Sequence, residues 1–159
     1  MQLIRLLLLI ACSLAPTLVW AGDSEVIAVI VPRNFNQHSM STADVSLIFW
    51  RKKLYWADGK HIHPVNLSTD QSLRRQFSQV VMGSPPEAQT EYWNEVYFHG
   101  TAPPMVVASQ EAMLRFVAET PGAIGYIDAC KLDNRVKAIL WVNEEGTASL
   151  NAPSNLNCN

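Results

Sequence analysis

The chain lacks the motifs that mark the common classes of enzyme. It contains no nucleophile elbow of the Gly-x-Ser-x-Gly type, no phosphate-binding loop ending in Gly-Lys-Ser/Thr and no His-Glu-x-x-His helix. Its acidic residues are scattered, so no pair of them can be assigned as general acid and base from sequence. We therefore expect a protein without catalytic activity and without a cofactor.

The sequence also lacks a strong excess of either positive or negative charge. The sequence has 12 Lys and Arg against 14 Asp and Glu, a formal net charge of −2. That balance gives no indication of a nucleic-acid partner. There is no internal repeat, low-complexity tract or linker, and the length suits one domain with a substantial core.

Long apolar runs are absent except at the N-terminus, where residues 1–21 are typical of a signal peptide. Arg5 supplies a basic start, Leu6–Leu14 an apolar core, and Val19-Trp20-Ala21 a cleavage site before Gly22. Pro16 interrupts the run, which argues against a permanent membrane span. The alternative is a lipoprotein signal at Leu9-Ile10-Ala11-Cys12, with Cys12 lipidated. Both interpretations predict export to the periplasm, and the first leaves residues 22–159 as the domain.

Cysteine is scarce, and its count agrees with export. Removal of Cys12 with the leader leaves Cys130 and Cys158, an even pair in an oxidising compartment. We predict a disulfide between them that ties the C-terminal tail to the loop after a core strand. By the loop-closure argument it contributes on the order of 3 kcal/mol. The alternative is two unpaired thiols.

Strand-like and helix-like segments alternate along the rest of the chain. Runs rich in apolar and β-branched residues predict strands at Glu25–Val31, Ile62–Asn66, Ala123–Ile127 and Val136–Val142. Helix starts are predicted at Ser41, Gln71, Ser84 and Ser109. This order predicts an α/β fold: a single three-layer domain with a small mixed, mostly parallel sheet of about four strands flanked by about four helices.

The stretch Ile62–Phe77 carries the strongest functional indication. A short strand leads through the polar turn Leu67–Asp70 into a helix whose apolar residues recur at helical spacing, namely Leu73, Phe77, Val80 and Val81. Ser68 followed by Gln71 fits a capping box that would start this helix. A strand that feeds a helix N-terminus through a hydroxyl-rich turn is suited to binding an anion.

The candidate anion ligands are Ser68, Thr69, Ser72 and Arg74. The alternative is that Ser68 only caps the helix while Arg74 is a solvated residue that pairs with Asp70 at i+4. Asp70 also places a negative charge where an anion would bind.

Three other groups of residues have both a functional and a structural interpretation. Arg51-Lys52-Lys53 form either a basic rim for anions or the cationic end of a helix. His61 and His63 share one face of a strand, but two ligands are too few for a zinc site, so no metal is predicted. The aromatic residues could form a binding surface, although core and core-edge positions are the usual place for them. They are Trp50, Tyr55, Trp56, Tyr92, Trp93 and Trp141.

Several short sequence segments, taken together, resemble one protein family. They are Ile48-Phe49 followed by a basic residue at Lys52 or Lys53, Trp56 to Gly59, and above all Thr120–Tyr126, which reads TPGAIGY. With the capped helix between them, they resemble the type 2 periplasmic solute-binding proteins of phosphate ABC transporters, the phosphate-binding-protein-like group. The resemblance extends over residues 26–142.

The resemblance implies a two-lobed binding protein whose cleft holds a tetrahedral oxyanion through hydroxyls, backbone amides and an arginine. This chain has about half the usual length and matches mainly the second lobe. The loop that usually reads Gly-Ser-Gly-Thr-Arg is Asp70–Arg74 here, without the glycines that allow close backbone approach.

Two hypotheses follow. The first is an exported, non-catalytic binding protein that recognises phosphate or a similar small anion for a transporter permease or a membrane sensor. The second is a degenerate lobe that has lost its ligand and acts as a protein-interaction module in the cell envelope, using the aromatic residues between Trp50 and Trp56.

Overall fold

The computed structural model describes residues 26–36, 38–154, 156 and 158. The predicted targeting segment, including Cys12, lies outside the described residues. None of the helices within the described part of the chain has the length and apolar character needed to cross a membrane.

Strands and helices alternate as predicted. The strands are β1 Ile27–Pro32, β2 His63–Leu67, β3 Met105–Val107, β4 Ala123–Asp128, β5 Val136–Val142 and β6 Ala148–Ser149. The helices are α1 Thr42–Phe49, α2 Ser72–Met82, α3 Thr90–Phe98 and α4 Gln110–Glu119, with short 3-10 turns at Pro86–Gln89 and Ala129–Lys131.

The strands form one mixed sheet in the order β3-β2-β4-β1-β5-β6. β2 is parallel to β3 and β4, whereas β1 lies antiparallel between β4 and β5, and β6 is antiparallel to β5. The predicted mixed α/β domain is confirmed. The described residues form six strands rather than about four, and three of the five pairings are antiparallel.

The two strands that the sequence pattern did not predict lie at the two ends of the sheet. β3 has three residues and β6 has two, and most of their side chains are exposed. Neither segment is long enough to show the alternation that identifies a half-buried strand. Both are added to the sheet by pairing with a longer neighbour.

The core lies on both faces of the central strands, and every residue of β1 is buried. α4 packs on β4 and β1, and α1 packs against α2. An aromatic group joins helices to sheet: Phe77 stacks on Tyr126 with ring centroids 3.8 Å apart, and Phe49 meets the edge of Phe77 at 4.6 Å. These contacts hold α2 in place above the carboxyl end of β2.

The helix after Ser84 differs from its prediction. Pro86–Gln89 forms a 3-10 turn, α3 begins only at Thr90, and none of its residues is fully buried. Tyr92 and Trp93 are half-buried, and the polar atom of each ring has a partner: the Tyr92 hydroxyl donates to the carbonyl of Trp50 at 2.6 Å, and the Trp93 indole N–H donates to Gln89 at 3.2 Å. α3 therefore lies at the edge of the core.

The predicted disulfide is present between Cys130 and Cys158, whose Cα atoms are 5.3 Å apart. Cys130 lies in the 3-10 turn directly after β4. The bond therefore ties the C-terminal tail to the end of a core strand, as the sequence predicts.

Candidate functional site

The candidate site lies at the edge where the carboxyl ends of β2, β3 and β4 meet. The amide of Ser68 donates to the carbonyl of Val107 at 3.2 Å, and the Gln71 side chain donates to the carbonyl of Ala108 at 2.7 Å. On the other side, the amide of Asp128 donates to the Gln110 side chain at 2.8 Å. The first turns of α2 and α4 thus lie beside each other at this edge, where open α/β sheets bind their ligands.

The start of α2 differs from the predicted capping box. The N-cap residue is Gln71, and no side chain accepts a hydrogen bond from the first turn, because Gln71 is bonded to Ala108 instead. Ser68 is not the cap, because the helix begins four residues later at Ser72, and the amide of Ser68 still continues the sheet through Val107. The amides of Ser72, Leu73 and Arg74 therefore point out of the helix without a side-chain acceptor, an arrangement that favours an anion.

Asp70 is exposed beside this helix start. The pKa of its carboxyl group lies below the usual value, mainly because the Ser68 hydroxyl donates a hydrogen bond to it and also because of its own backbone amide. Asp70 is thus ionised at neutral pH. It holds one of the candidate hydroxyls and leaves the first-turn amides of α2 uncapped.

Arg74 is buried beneath the helix start, with 6% of its surface exposed. Its guanidinium donates to Asn66 Oδ1 at 2.5 Å and to Gln89 Oε1 at 3.5 Å. The Tyr126 hydroxyl also donates to Asn66 Oδ1, at 3.2 Å, and accepts from the amide of Leu67 at 3.2 Å. Burial is the main reason why the pKa of Tyr126 is raised, so this hydroxyl stays protonated.

No carboxylate of the described residues forms an ion pair with Arg74, and its Nε atom is buried without a hydrogen-bond partner. The alternative that Arg74 is solvated and pairs with Asp70 is therefore wrong. A buried cation whose acceptors are neutral amide oxygens is only partly compensated for its lost hydration.

The four candidate residues occupy two levels. Ser68 is half-buried, Thr69 and Ser72 are exposed, and all three belong to the turn or the first helical residue. Arg74 lies below them, in a buried polar group that sequence reasoning missed, comprising Asn66, Gln89 and Tyr126. Asn66 could have been identified from the sequence, because it is the one polar residue between Pro64 and Leu67 in an apolar strand.

The basic segment Arg51–Lys53 and the pair His61 and His63 make contacts other than those of the candidate anion ligands. Lys53 pairs with Asp44 at 2.8 Å, and Arg51 donates to the carbonyl of Ile62. The rings of His61 and His63 are 5.0 Å apart, and the pKa of His63 is lowered by burial, by His61 and by Arg51. Within the described residues, no group of three or more His, Cys, Asp or Glu is placed to hold a metal ion.

The alternative of an aromatic binding surface between residues 50 and 56 is wrong, and Trp50 and Trp56 occupy the core or core-edge positions that are usual for such residues. Trp56 is buried, with its indole N–H donating to the carbonyl of Gly122 at 3.0 Å, and Trp50 is half-buried against Tyr92 and Trp93. Of this segment's aromatic residues, Tyr55 is the exposed one. Trp56 also lines an open cleft of about 640 Å³ with Met40, Leu140 and the Asp44–Lys53 pair, and no residue of α2 is among its lining residues.

No protein-family model matches the chain, and no curated protein matches it in sequence. Solved structures do match. The chain superposes with a TM-score of 0.61 and 21% identity on a Clostridium perfringens protein assigned as a phosphate ABC transporter substrate-binding protein, solved with bound phosphate. An ABC-type phosphate transport receptor from Vibrio cholerae gives the same TM-score and identity. PstS from Borrelia burgdorferi gives 0.51 and 13%.

The matches cover 74%, 72% and 69% of this chain but only 45%, 45% and 43% of those proteins. The chain therefore spans less than half the length of the structures it matches. At these identities the likeness concerns the fold. In fold, the chain corresponds to one lobe of these proteins, so the fold that the sequence resemblance implies is confirmed.

Proposed function

We propose that the protein is an exported, non-catalytic binding protein that recognises a small oxyanion, phosphate in the first instance, at the start of α2. The anion would lie over the first-turn amides of the helix, with the hydroxyls of Ser68, Thr69 and Ser72 around it and Arg74 beneath. It would be passed to a transporter permease or to a membrane sensor.

The observation that carries the proposal is the environment of Arg74. A cation that is 6% exposed and bonded to the neutral oxygens of Asn66 and Gln89 lacks a counter-charge. The uncapped amides of α2 provide positive potential at the same end of the helix. A bound oxyanion supplies the negative charge that both groups lack.

Two further observations support the class of function. The solved structures that share the fold are named as phosphate-transport proteins, and one contains bound phosphate. The disulfide Cys130–Cys158 suits the oxidising compartment to which an exported protein is delivered. Cell fractionation of the full-length protein tests the location, and recovery in the cytoplasm with the leader uncleaved contradicts export.

Isothermal titration calorimetry with phosphate and with sulfate tests the ligand. We expect the native protein to release or absorb heat at millimolar phosphate or below, since a single lobe encloses its ligand incompletely. Arg74→Gln is expected to abolish the signal because it removes the buried charge. Absence of heat with the native protein at millimolar phosphate and sulfate would contradict the oxyanion proposal.

Arg75→Gln is the matched control. Arg75 is the next residue, is exposed and pairs with Glu87 on the surface, so its loss is expected to leave phosphate binding within about twofold of the native value. Because Arg74 is buried, circular dichroism must first establish that Arg74→Gln folds. If it does not, Arg74→Lys keeps a cation without the two-pronged geometry, and weakened binding by that variant supports the same role.

A further inference from the structure

Three basic side chains meet at the amino end of β2, the end of the strand opposite the oxyanion site. The rings of His61 and His63 have their centroids 5.0 Å apart. The Arg51 guanidinium donates to the carbonyl of Ile62, the residue between them, at 3.3 Å. We call Arg51, His61 and His63 the basic cluster. His63 is exposed and the other two side chains are half-buried, so the cluster can be reached from solvent.

Arg51 holds a backbone conformation that a residue with a side chain rarely adopts. Its φ is +58°, and it is the one residue other than glycine with a positive φ in the described part of the chain. It follows the last turn of α1, where its amide donates to the carbonyl of Ile48, a position that glycine usually fills. Glycine would make this turn without strain. The turn therefore does not explain the presence of arginine, and backbone strain of this kind is common at binding sites.

The nitrogen atoms of the basic cluster are incompletely satisfied by the protein itself. Arg51 Nε and His61 Nδ1 are both buried without a hydrogen-bond partner. No member of the cluster belongs to an ion pair among the residues that the structure describes. The two carboxylates between positions 40 and 65, Asp44 and Asp58, are each paired with a lysine at 2.8 Å. The positive charge of the cluster therefore lacks a counter-charge.

The surroundings of His63 show the sign of the local potential. Burial is the main reason why the pKa of His63 is lowered, and the charges of His61 and Arg51 lower it further. Glu119 ends α4 just before the turn 120–122 that bonds to His63, but it is exposed and forms no ion pair among the described residues. His63 is thus neutral at pH 7, and Arg51 carries the permanent charge of the cluster.

We propose that the basic cluster binds a small organic carboxylate. One permanent positive charge matches a monoanion, and a guanidinium forms charge-assisted hydrogen bonds with a carboxylate. Each neutral imidazole can donate a further N–H group. The ring of Tyr55 is 58% exposed and lies 5.3 Å from the ring of His61, so it offers an apolar face to the rest of the ligand. A metal ion is disfavoured, because the guanidinium of Arg51 repels a cation and two imidazoles are too few for zinc.

This site is separate from the proposed oxyanion site. His63 begins β2, whereas Ser68 directly follows its last residue. Five positions of extended strand span about 16 Å, so one small ligand cannot contact both ends. The carboxylate proposal and the oxyanion proposal can therefore fail independently of each other.

NMR titration of the histidine rings tests the proposal, with benzoate as the probe and benzamide as its uncharged analogue. His38 and His99, the other two histidines of the sequence, report from outside the cluster. We expect millimolar benzoate to move the ring signals of His61 and His63 and to raise the pKa of His63, because a bound carboxylate favours the charged imidazole. The affinity for benzoate should rise about fivefold between pH 8 and pH 5 as His63 gains its proton. Benzamide should leave all four rings unchanged.

Arg51→Gly is the main variant. Glycine accepts a positive φ, so the turn after α1 is kept and the variant is expected to fold. It should weaken benzoate binding at least about fivefold, because the permanent charge is lost. Its calorimetric response to phosphate should be that of the native protein. His63→Gln should remove most of the rise in benzoate affinity between pH 8 and pH 5.

Lys52→Gln is the matched control. It removes one positive charge from the position next to Arg51, but Lys52 Nζ lies over the ring of Tyr92, 5.7 Å from its centroid, and not at the basic cluster. We expect this variant to bind benzoate within about twofold of the native value.

Four outcomes would overturn the proposal. An equal response to benzamide would mean that the ring of the probe binds without its charge, and equal shifts at His38 and His99 would mean that benzoate binds without a defined site. Loss of benzoate binding in Arg74→Gln but not in Arg51→Gly would place the carboxylate at the oxyanion site. Broadening of the His61 and His63 signals by micromolar zinc would assign the two histidines to a metal ion.

Discussion

Arg74 is the residue whose position differs most from what its type would suggest. Arginine on a helix normally extends its charge into water, but here the helical register of Leu73 and Phe77 turns the neighbouring position inward as well. The apolar pattern of the sequence identifies Leu73 and Phe77 as buried. It cannot show that Arg74 and Ser78, four residues apart on the adjoining strip of α2, are buried too. The anion-binding hypothesis named Arg74 as a candidate ligand, but the burial of Arg74 was visible only in three dimensions.

Asp70 provides a residue-scale prediction for the oxyanion site. Asp70→Asn removes a negative charge at the mouth while keeping the size of the side chain. We expect phosphate to bind on the order of fivefold more tightly, the effect of one unit charge at close range in water. Calorimetric titration of both proteins at pH 7 is the measurement. Unchanged or weaker binding by Asp70→Asn would place the anion away from this turn.

The sign of the pH effect follows from the hydrogen bond between Ser68 and Asp70. Because that bond lowers the pKa of Asp70, the carboxylate stays charged down to a lower pH than an ordinary aspartate and still opposes an anion there. Ser68→Ala should return the pKa towards its usual value, which can be followed by NMR titration of the side-chain carboxyl carbon.

At the scale of elements, two of the helix starts predicted at serine residues are confirmed. Ser41 and Ser109 cap α1 and α4 as expected, each accepting a hydrogen bond from the amide three residues on, at 3.1 Å. The same pattern at Ser68 fails, because that residue is still engaged with β3 and the helix starts four residues later. A local motif cannot show how far a neighbouring strand extends.

The turn between α4 and β4 carries an element-scale prediction. Gly122 has φ +81°, and a Cβ atom there would lie 2.5 Å from the carbonyl oxygen of His61. Gly59 has nearly the same φ, +80°, but open space around it. We expect Gly59→Ala to lower the free energy of unfolding by about 1–2 kcal/mol through backbone strain alone. Gly122→Ala should lose about 1–3 kcal/mol more through the clash.

Urea unfolding of the two variants against the native protein measures this difference. Equal losses at the two positions would mean that the β2 segment moves away from the turn at no cost. Gly122 belongs to TPGAIGY, the segment most typical of the family resemblance, so a larger loss at Gly122 would indicate that this segment has a packing role. Gly125 of the same segment is also tightly packed, since a Cβ atom there would lie 2.3 Å from the sulfur of Met113.

At the scale of the whole molecule, the sequence was sufficient for the class of fold and for the four longer strands. β4 and β5 match their predicted bounds within one residue. The order of the strands and the antiparallel direction of β1 could not be read from the sequence, because they depend on pairing between residues about 100 positions apart, such as Val29 with Tyr126. Local periodicity carries no information on such partners.

The disulfide gives a prediction at this scale. Cys158→Ser releases the tail that is joined to Cys130 across 28 residues. The loop-closure relation predicts a loss of about 3–4 kcal/mol in the free energy of unfolding. Denaturant unfolding is the measurement, and the native protein with its disulfide reduced should behave like the variant. A native protein that is as stable after reduction as before would show that the tail does not restrain the unfolded chain.

The position of β1 bears on how synthesis and folding are ordered in time. β1, the first strand of the described residues, occupies the middle of the sheet, and both of its neighbours come from the last third of the sequence. During synthesis, β1 can pair with β4 only after residue 128 has been made and with β5 only after residue 142, so the middle of the sheet forms late. Both pairings join residues about 100 positions apart, so we expect this sheet to close more slowly than one built from neighbouring hairpins.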